Sequence, residues 1–242
     1  MNVYLTYDYE LFFGDPTGSV EKCIIEPTNF LRQIAKDTGV KMVFFIDVGY
    51  LKKLEEFRAQ FPQVEHEYQL VFNQIKDLVA EGHDCQLHIH PHWEDCTHDG
   101  RQWKMIVDRY KLVDFSEEEI IEIVLEYKSI LKSITQKPIT AYRAGGWCLQ
   151  PFSKIQKAFS KAGLKIDSTV FPGGENKKGN YFYDFKNTPN IDKWQFSSDL
   201  CEEDVDGEFW EFPISNQKYS IWFFSGIYNF IRLPKLKLFD NV

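Results

Sequence analysis

"KMVFFIDV", residues 41–48, sets the apolar run Met42 to Ile46 between a lysine and an aspartate. A strand with one wet face alternates apolar and polar side chains, whereas an unbroken apolar run marks a parallel strand covered on both faces. On either side of this run the chain alternates strand-like and helix-like segments. Residues 2–8, "NVYLTYD", read as a strand that stops at a carboxylate. Residues 27–37 read as a helix, with Pro27 suited to its first turn and Gly39 to its C-terminal cap. Residues 51–57 and 68–81 read as helices, the second ending at Gly82. Residues 84–90, "DCQLHIH", form the third strand. Ser116 followed by Glu119 is a capping-box signature that opens a helix to Thr135. Residues 139–144 ("ITAYRA") are the fourth strand, 153–161 a helix closed by Gly163, 164–170 ("LKIDSTV") the fifth strand and 208–214 ("EFWEFPI") a later one. Repeated strand-then-helix units predict an α/β fold on a parallel sheet, open or closed into a barrel. No repeat or low-complexity linker divides the chain, so residues 1–242 read as a single domain.

Bulk composition narrows the class. An apolar content of 43% excludes general disorder, and 242 residues suffice for a sizeable core. The net charge is −8 and no Lys/Arg block stands out, which argues against a nucleic-acid partner. Five scattered cysteines without a C-x-x-C argue against a disulfide framework and for a reducing compartment. The opening "MNVYLTYDYE" has neither a basic nor an apolar leader region, so a cytoplasmic location is expected. The longest apolar stretch, "YSIWFFSGIYNFI" at 219–231, has 13 residues and falls short of the roughly 20 a spanning helix needs. Arg232, Lys235 and Lys237 follow it. Residues 219–242 therefore read either as a membrane-surface contact or as core or subunit contact, and as the expected start of a further region. Oligomeric state is not readable from the sequence.

Polar residues cluster where the apolar strands stop: Asp8 and Glu10, then His88, His90 and His92, then Arg143, then Asp167. Active sites of parallel α/β barrels lie at that end of the strands. If the chain stays extended through "HIHPH", the three histidines share a face. If it turns helical, His88 and His92 become an i, i+4 pair and His90 swings away. Pro91 opposes a regular central strand, which favours His88 and His92 as ligands of one cation with His90 nearby. Imidazole pairs suit zinc, iron, cobalt or nickel. Asp8 and Glu10 share a face at their strand end, so one carboxylate can bind metal while the other acts as a base.

"TYDYE", "GHDCQLHIHPH", "YRAGGW" and "IDSTVFP" occur in the order and spacing of the polysaccharide deacetylases, carbohydrate esterase family 4, and the chain resembles that family over roughly residues 3 to 215. The resemblance implies a distorted, incomplete (β/α) barrel of about seven parallel strands. It implies hydrolysis of an N-acetyl group on a sugar of a glycan or glycan precursor, with a divalent metal ion, most simply Zn2+, as cofactor. Residue by residue, it implies Asp8 as catalytic base and Glu10, His88 and His92 as metal ligands. It implies Arg143 as the residue orienting Asp8, Gly145, Gly146 and Trp147 at the substrate, and Asp167 as the acid of the fourth motif. Tyr9 departs from the pattern, which sets an acid directly after the base. The fifth motif, a Leu-x-His, has no counterpart, since no histidine follows His98. Three expectations follow: the chain is a piece of a longer protein, another histidine such as His90 or His83 supplies the proton, or the protein binds carbohydrate without turnover. A related metal-dependent amide hydrolase, a deformylase or amidase, fits the same residues.

Overall fold

The apolar run at 41–48 lies inside a sheet, flanked by a parallel neighbour on each side. The computed structural model describes residues 3–12 and 18–216; the aromatic and basic segment 219–242 lies outside them. We number the sheet strands β1 (Thr6–Tyr9), β2 (Val43–Asp47), β3 (Asp84–Ile89), β4 (Ala141–Ala144), β5 (Ile166–Asp167), β6 (Trp194–Phe196) and β7 (Phe209–Glu211). They form one seven-stranded sheet in the order β1-β2-β3-β4-β5-β7-β6. Successive pairs from β1 to β5, and β5 with β7, are parallel; β6 pairs antiparallel with β7. Two short hairpins lie outside this sheet, Thr97–His98 with Trp103–Lys104 and Glu175–Asn176 with Tyr183–Asp184.

The α/β class and the parallel core are as the sequence predicts, and one strand differs. β6 has no counterpart in the sequence reading, and it runs against its neighbour. Its three residues bury Trp194 and Phe196 and leave Gln195 partly exposed. So short an alternation has too few periods to be told from a loop.

Among the described residues there are five α-helices: α1 (Glu26–Thr38), α2 (Val48–Phe57), α3 (Pro62–Ala80), α4 (Glu117–Thr135) and α5 (Gln156–Ala162). Pro62 opens α3 at its first turn, a turn and a half before the start expected from apolar periodicity, because 62–67 is mostly polar. α2 follows β2 without a loop, and its apolar opening Val48–Leu51 hides the junction. The capping box of α4 forms as predicted: Ser116 Oγ accepts from the Glu119 N–H at 3.3 Å, and the Glu119 carboxylate accepts from the Ser116 N–H at 2.8 Å. α2, α3 and α4 pack on β3, whose Leu87 and Ile89 are fully buried. No helix among the described residues is long and apolar enough to cross a membrane.

Register decides what the other face carries. Asp8 lies beside Phe45 and Gln86, while Asp47, His88 and Arg143 form the next row along the strands. Glu10, two residues beyond Asp8, falls in that second row by the same alternation. β1 and β4 are three steps apart in the sheet, about 14 Å if it were flat. Side chains standing perpendicular to a flat sheet do not bridge that gap. Yet Arg143 Nη1 donates to Asp8 Oδ1 at 2.8 Å, so the sheet curls into part of a barrel.

Because Leu87 is central and sealed, Leu87→Ala should cost about 2–5 kcal/mol, against about 1 kcal/mol for Ser116→Ala at the α4 cap. Urea midpoints of the two variants check the ranking; equal shifts would contradict it.

Candidate active site

The strands end together, so their last side chains meet. Glu10 Oε2 lies 3.1 Å from His88 Nε2, and His90 Nε2 contacts the same oxygen. One ligand atom from each of Glu10, His88 and His90 lies within 4.8 Å of the other two. His88 Nδ1 sits 2.9 Å from the Arg143 carbonyl oxygen. A carbonyl only accepts, so Nδ1 carries the hydrogen and Nε2 is the atom turned to Glu10. Such a fixed tautomer is typical of a metal-binding imidazole. Two ring nitrogens converging on one carboxylate oxygen call for positive charge between them, as protons or as a cation. Burial alone would raise the Glu10 carboxyl; His90 and His88 reverse this and hold it well below the ordinary range. Burial likewise opposes a charge on His88, but Glu10, Asp8 and Asp47 carry its pKa up to about 9. Two imidazoles and one carboxylate suit zinc, and iron as well.

The spacing predicts His92 in this group with His90 beside it; in the structure His90 joins Glu10 and His88, and His92 lies beside them. His90 keeps an extended backbone (φ −104°, ψ 93°), so the strand alternation runs on through it, and the 3₁₀ turn Pro91–Asp95 begins only afterwards. The helical spacing that would pair His88 with His92 starts too late. His92 instead stacks on Tyr110, ring centroids 5.5 Å apart and nearly coplanar. Burial, then the neighbouring His90, lowers its pKa to about 3.

Arg143 is buried and makes four hydrogen bonds: to Asp8 Oδ1 (2.8 Å), Thr6 Oγ1 (2.9 Å), Ser168 O (2.7 Å) and Ser168 Oγ (3.0 Å). Its guanidinium lies 4.2 Å from the centre of the Phe45 ring. Asp8 and Arg143, matched from separate motifs, are therefore in direct contact. The Asp8 side chain keeps 31% of its surface exposed, enough to meet a solute.

Gly145 and Gly146 follow β4 at the rim. A Cβ on Gly145 would stand 2.6 Å from His90 Nδ1, so the bare backbone is what lets the His90 ring sit there. Gly146 has φ +59°, and Trp147 shares this left-handed conformation, which costs a non-glycine residue about 1–2 kcal/mol. Trp147 remains 39% exposed, edge-on to Phe171 and Tyr183.

Asp47 escaped the sequence reading. It ends β2, whereas Asp8 and His88 each stand one residue short of the ends of β1 and β3, but a lone acid at a strand end carries no motif. It is buried, and Oδ2 accepts from Trp93 Nε1 at 2.7 Å. Burial raises its pKa, and His90 and His88 pull against this. His83, expected as one alternative proton donor, lies at the opposite end of β3, where Nδ1 accepts from the Met42 N–H. Asp167 is buried beside Thr169, not at the rim.

No protein-family model and no curated protein matches the sequence. Among solved structures, the chain is similar to a protein from Mycobacterium smegmatis assigned as a polysaccharide deacetylase. The TM-score is 0.50 and the identity 17%, over 88% of this chain and 58% of that one. A polysaccharide deacetylase from Bacillus cereus also aligns, with a TM-score of 0.38 and 17% identity over 69% of this chain and 59% of its own. The chain thus has the fold of the Mycobacterium smegmatis structure, and it spans just over half of that protein's length.

Gly145→Ala should displace the His90 ring and weaken the site for a divalent cation by about tenfold or more, the range seen when groups supporting a ligand are lost. Zinc titration by calorimetry checks this; unchanged affinity would show that the Gly145–His90 contact is dispensable.

Proposed function

We propose that the chain is a metal-dependent hydrolase that removes an N-acetyl group from a sugar of a glycan or glycan precursor. One observation carries the reading: Glu10, His88 and His90 converge at the strand ends while Asp8, bonded to Arg143, stands one row behind them. The motif order and the fold shared with the Mycobacterium smegmatis protein support it. Glu10, His88 and His90 are the proposed ligands, with His92 packed behind them. A divalent ion bound there would polarise the acetamide carbonyl and acidify a water.

The chain's own groups supply the rest. Asp8 accepts the proton of the attacking water. Arg143 holds Asp8 in place by a charge-assisted bond. The water oxygen adds to the acetamide carbon, and backbone N–H groups of the Gly145–Trp147 turn face the charge that develops on its oxygen. The C–N bond then breaks, acetate leaves, and the amine takes a proton. Asp8, having taken the water's proton, is the group proposed to return it. Trp147, exposed at the rim, offers a flat apolar face to a sugar ring.

Two outcomes are expected. Zinc bound by the purified protein should be lost in His88→Ala and in His90→Ala but kept in His92→Ala, as read by elemental analysis. Equal metal in wild type and His88→Ala would remove the proposed site. Asp8→Asn should keep its metal yet release acetate from N-acetylglucosamine oligomers about 10²–10⁴-fold more slowly, the scale of a lost general base. Formate release from an N-formyl sugar in place of acetate would reassign the protein as a deformylase. Saturable binding of the oligomers without acetate would make it a carbohydrate-binding protein.

A further inference from the structure

Asp167 has a partner that no motif announces. Its neighbour across the ladder is Glu211 on β7, and both side chains are sealed from solvent, at 1% and 0% exposure. Both Asp167 oxygens are engaged by Thr169: Oδ1 accepts from Thr169 Oγ1 at 2.8 Å, and Oδ2 from the Thr169 N–H at 3.0 Å. Glu211 Oε1 accepts from the Val170 N–H at 3.1 Å. Glu211 Oε2 is buried and meets no N–H or hydroxyl donor among the described residues. The register sets this carboxyl beside Asp167, on the neighbouring strand.

Two carboxylates sealed side by side cannot hydrogen-bond to each other, because neither has a hydrogen to give, and Glu211 Oε2 would stay orphaned. Two bare charges in contact and out of water would also repel strongly. We infer that Glu211 Oε2 carries a proton and donates it to Asp167, and that this buried acid pair positions the active-site groups Arg143 and His90. Burial pushes both acids upward, Glu211 well above its ordinary value. Arg143, Tyr142 and Cys201 are the other titratable groups facing the pair. Of these Arg143 is the cation, and its bond to Asp8 already engages it. Burial holds the Tyr142 hydroxyl and the Cys201 thiol neutral.

The pair acts through the bend after β5. Thr169 Oγ1, while donating to Asp167, accepts the Ala144 N–H at 3.0 Å. Ala144 precedes Gly145, on which the His90 ring rests. One residue back, Ser168 takes two hydrogen bonds from Arg143 and donates from Oγ to Phe212 O at 2.9 Å. The bend is thus fastened to β7 on one side and holds Arg143 and Ala144 on the other. The inference rests on the proposed hydrolase activity only for its effect on rate.

The primary test does not use activity. At neutral pH, an infrared difference spectrum of wild type minus Glu211→Gln should show the carbonyl stretch of a protonated carboxyl group; any signal from Asp47 cancels. The pH dependence of folding gives a second readout. The folded state keeps a proton that the unfolded chain sheds above the ordinary value of 4.5. Stability should therefore fall as pH climbs from there toward the raised folded value, and Glu211→Gln should flatten that slope. A glutamine amide can donate to Asp167 and still accept from Val170, so Glu211→Gln should keep its zinc and its rate of acetate release. Glu211→Ala should lose rate by about tenfold or more, as when a buried hydrogen bond leaves an orphaned partner. No band sensitive to Glu211→Gln, or identical pH slopes in wild type and Glu211→Gln, would overturn the inference. The band present without acetate release by wild type would support the acid pair and refute the hydrolase reading alone.

Discussion

A buried guanidinium sets the terms for this end of the molecule. Arg143 cannot lose its charge, and an unsatisfied buried charge costs several kcal/mol. Acceptors for its N–H groups must therefore be brought to it. They come from Thr6 and Asp8 on β1 and from Ser168 beyond β5, with the Phe45 ring of β2 beneath. Its own carbonyl accepts from His88 on β3. One residue of β4 is thus in contact with β1, β2 and β3 and with the bend after β5. Meeting those contacts curls the sheet, and the curl brings the Asp8 carboxylate into the same space as the histidines.

Charge is balanced locally around that residue. Glu10, Asp8 and Asp47 bring three acids to the strand ends, answered by Arg143 and by His88, whose pKa they carry upward. A proton on the imidazoles and a divalent cation are competing ways to supply positive charge there. Uptake of metal by such a group releases protons, so acid opposes binding. The low pKa of His92, set by burial and by His90, keeps that third ring neutral and suited to packing on Tyr110.

The acids of the site divide by surroundings, not by type. Asp8 touches solvent and is matched by a cation, as its proposed role of proton acceptor requires. Asp167 and Glu211 are sealed from solvent as neighbours in the sheet, and we infer a proton held between them. The same functional group thus meets solvent at the rim and is sealed within the wall.

The α/β class, the parallel strands and the order of the main helices were legible in the residues themselves. Unbroken apolar runs such as Met42 to Ile46 and caps such as Ser116 with Glu119 are local signals, and local physics suffices to read them. Asp8, Glu10, His88 and Arg143 were legible because each stands where an apolar strand stops. The choice of His90 over His92 was not, because it depends on how far the extended backbone persists before Pro91 turns it. The antiparallel β6, the buried Asp47 and the partnership of Glu211 with Asp167 were hidden for a common reason. Each is defined by a neighbour distant in the chain, and only the folded register brings that neighbour within reach.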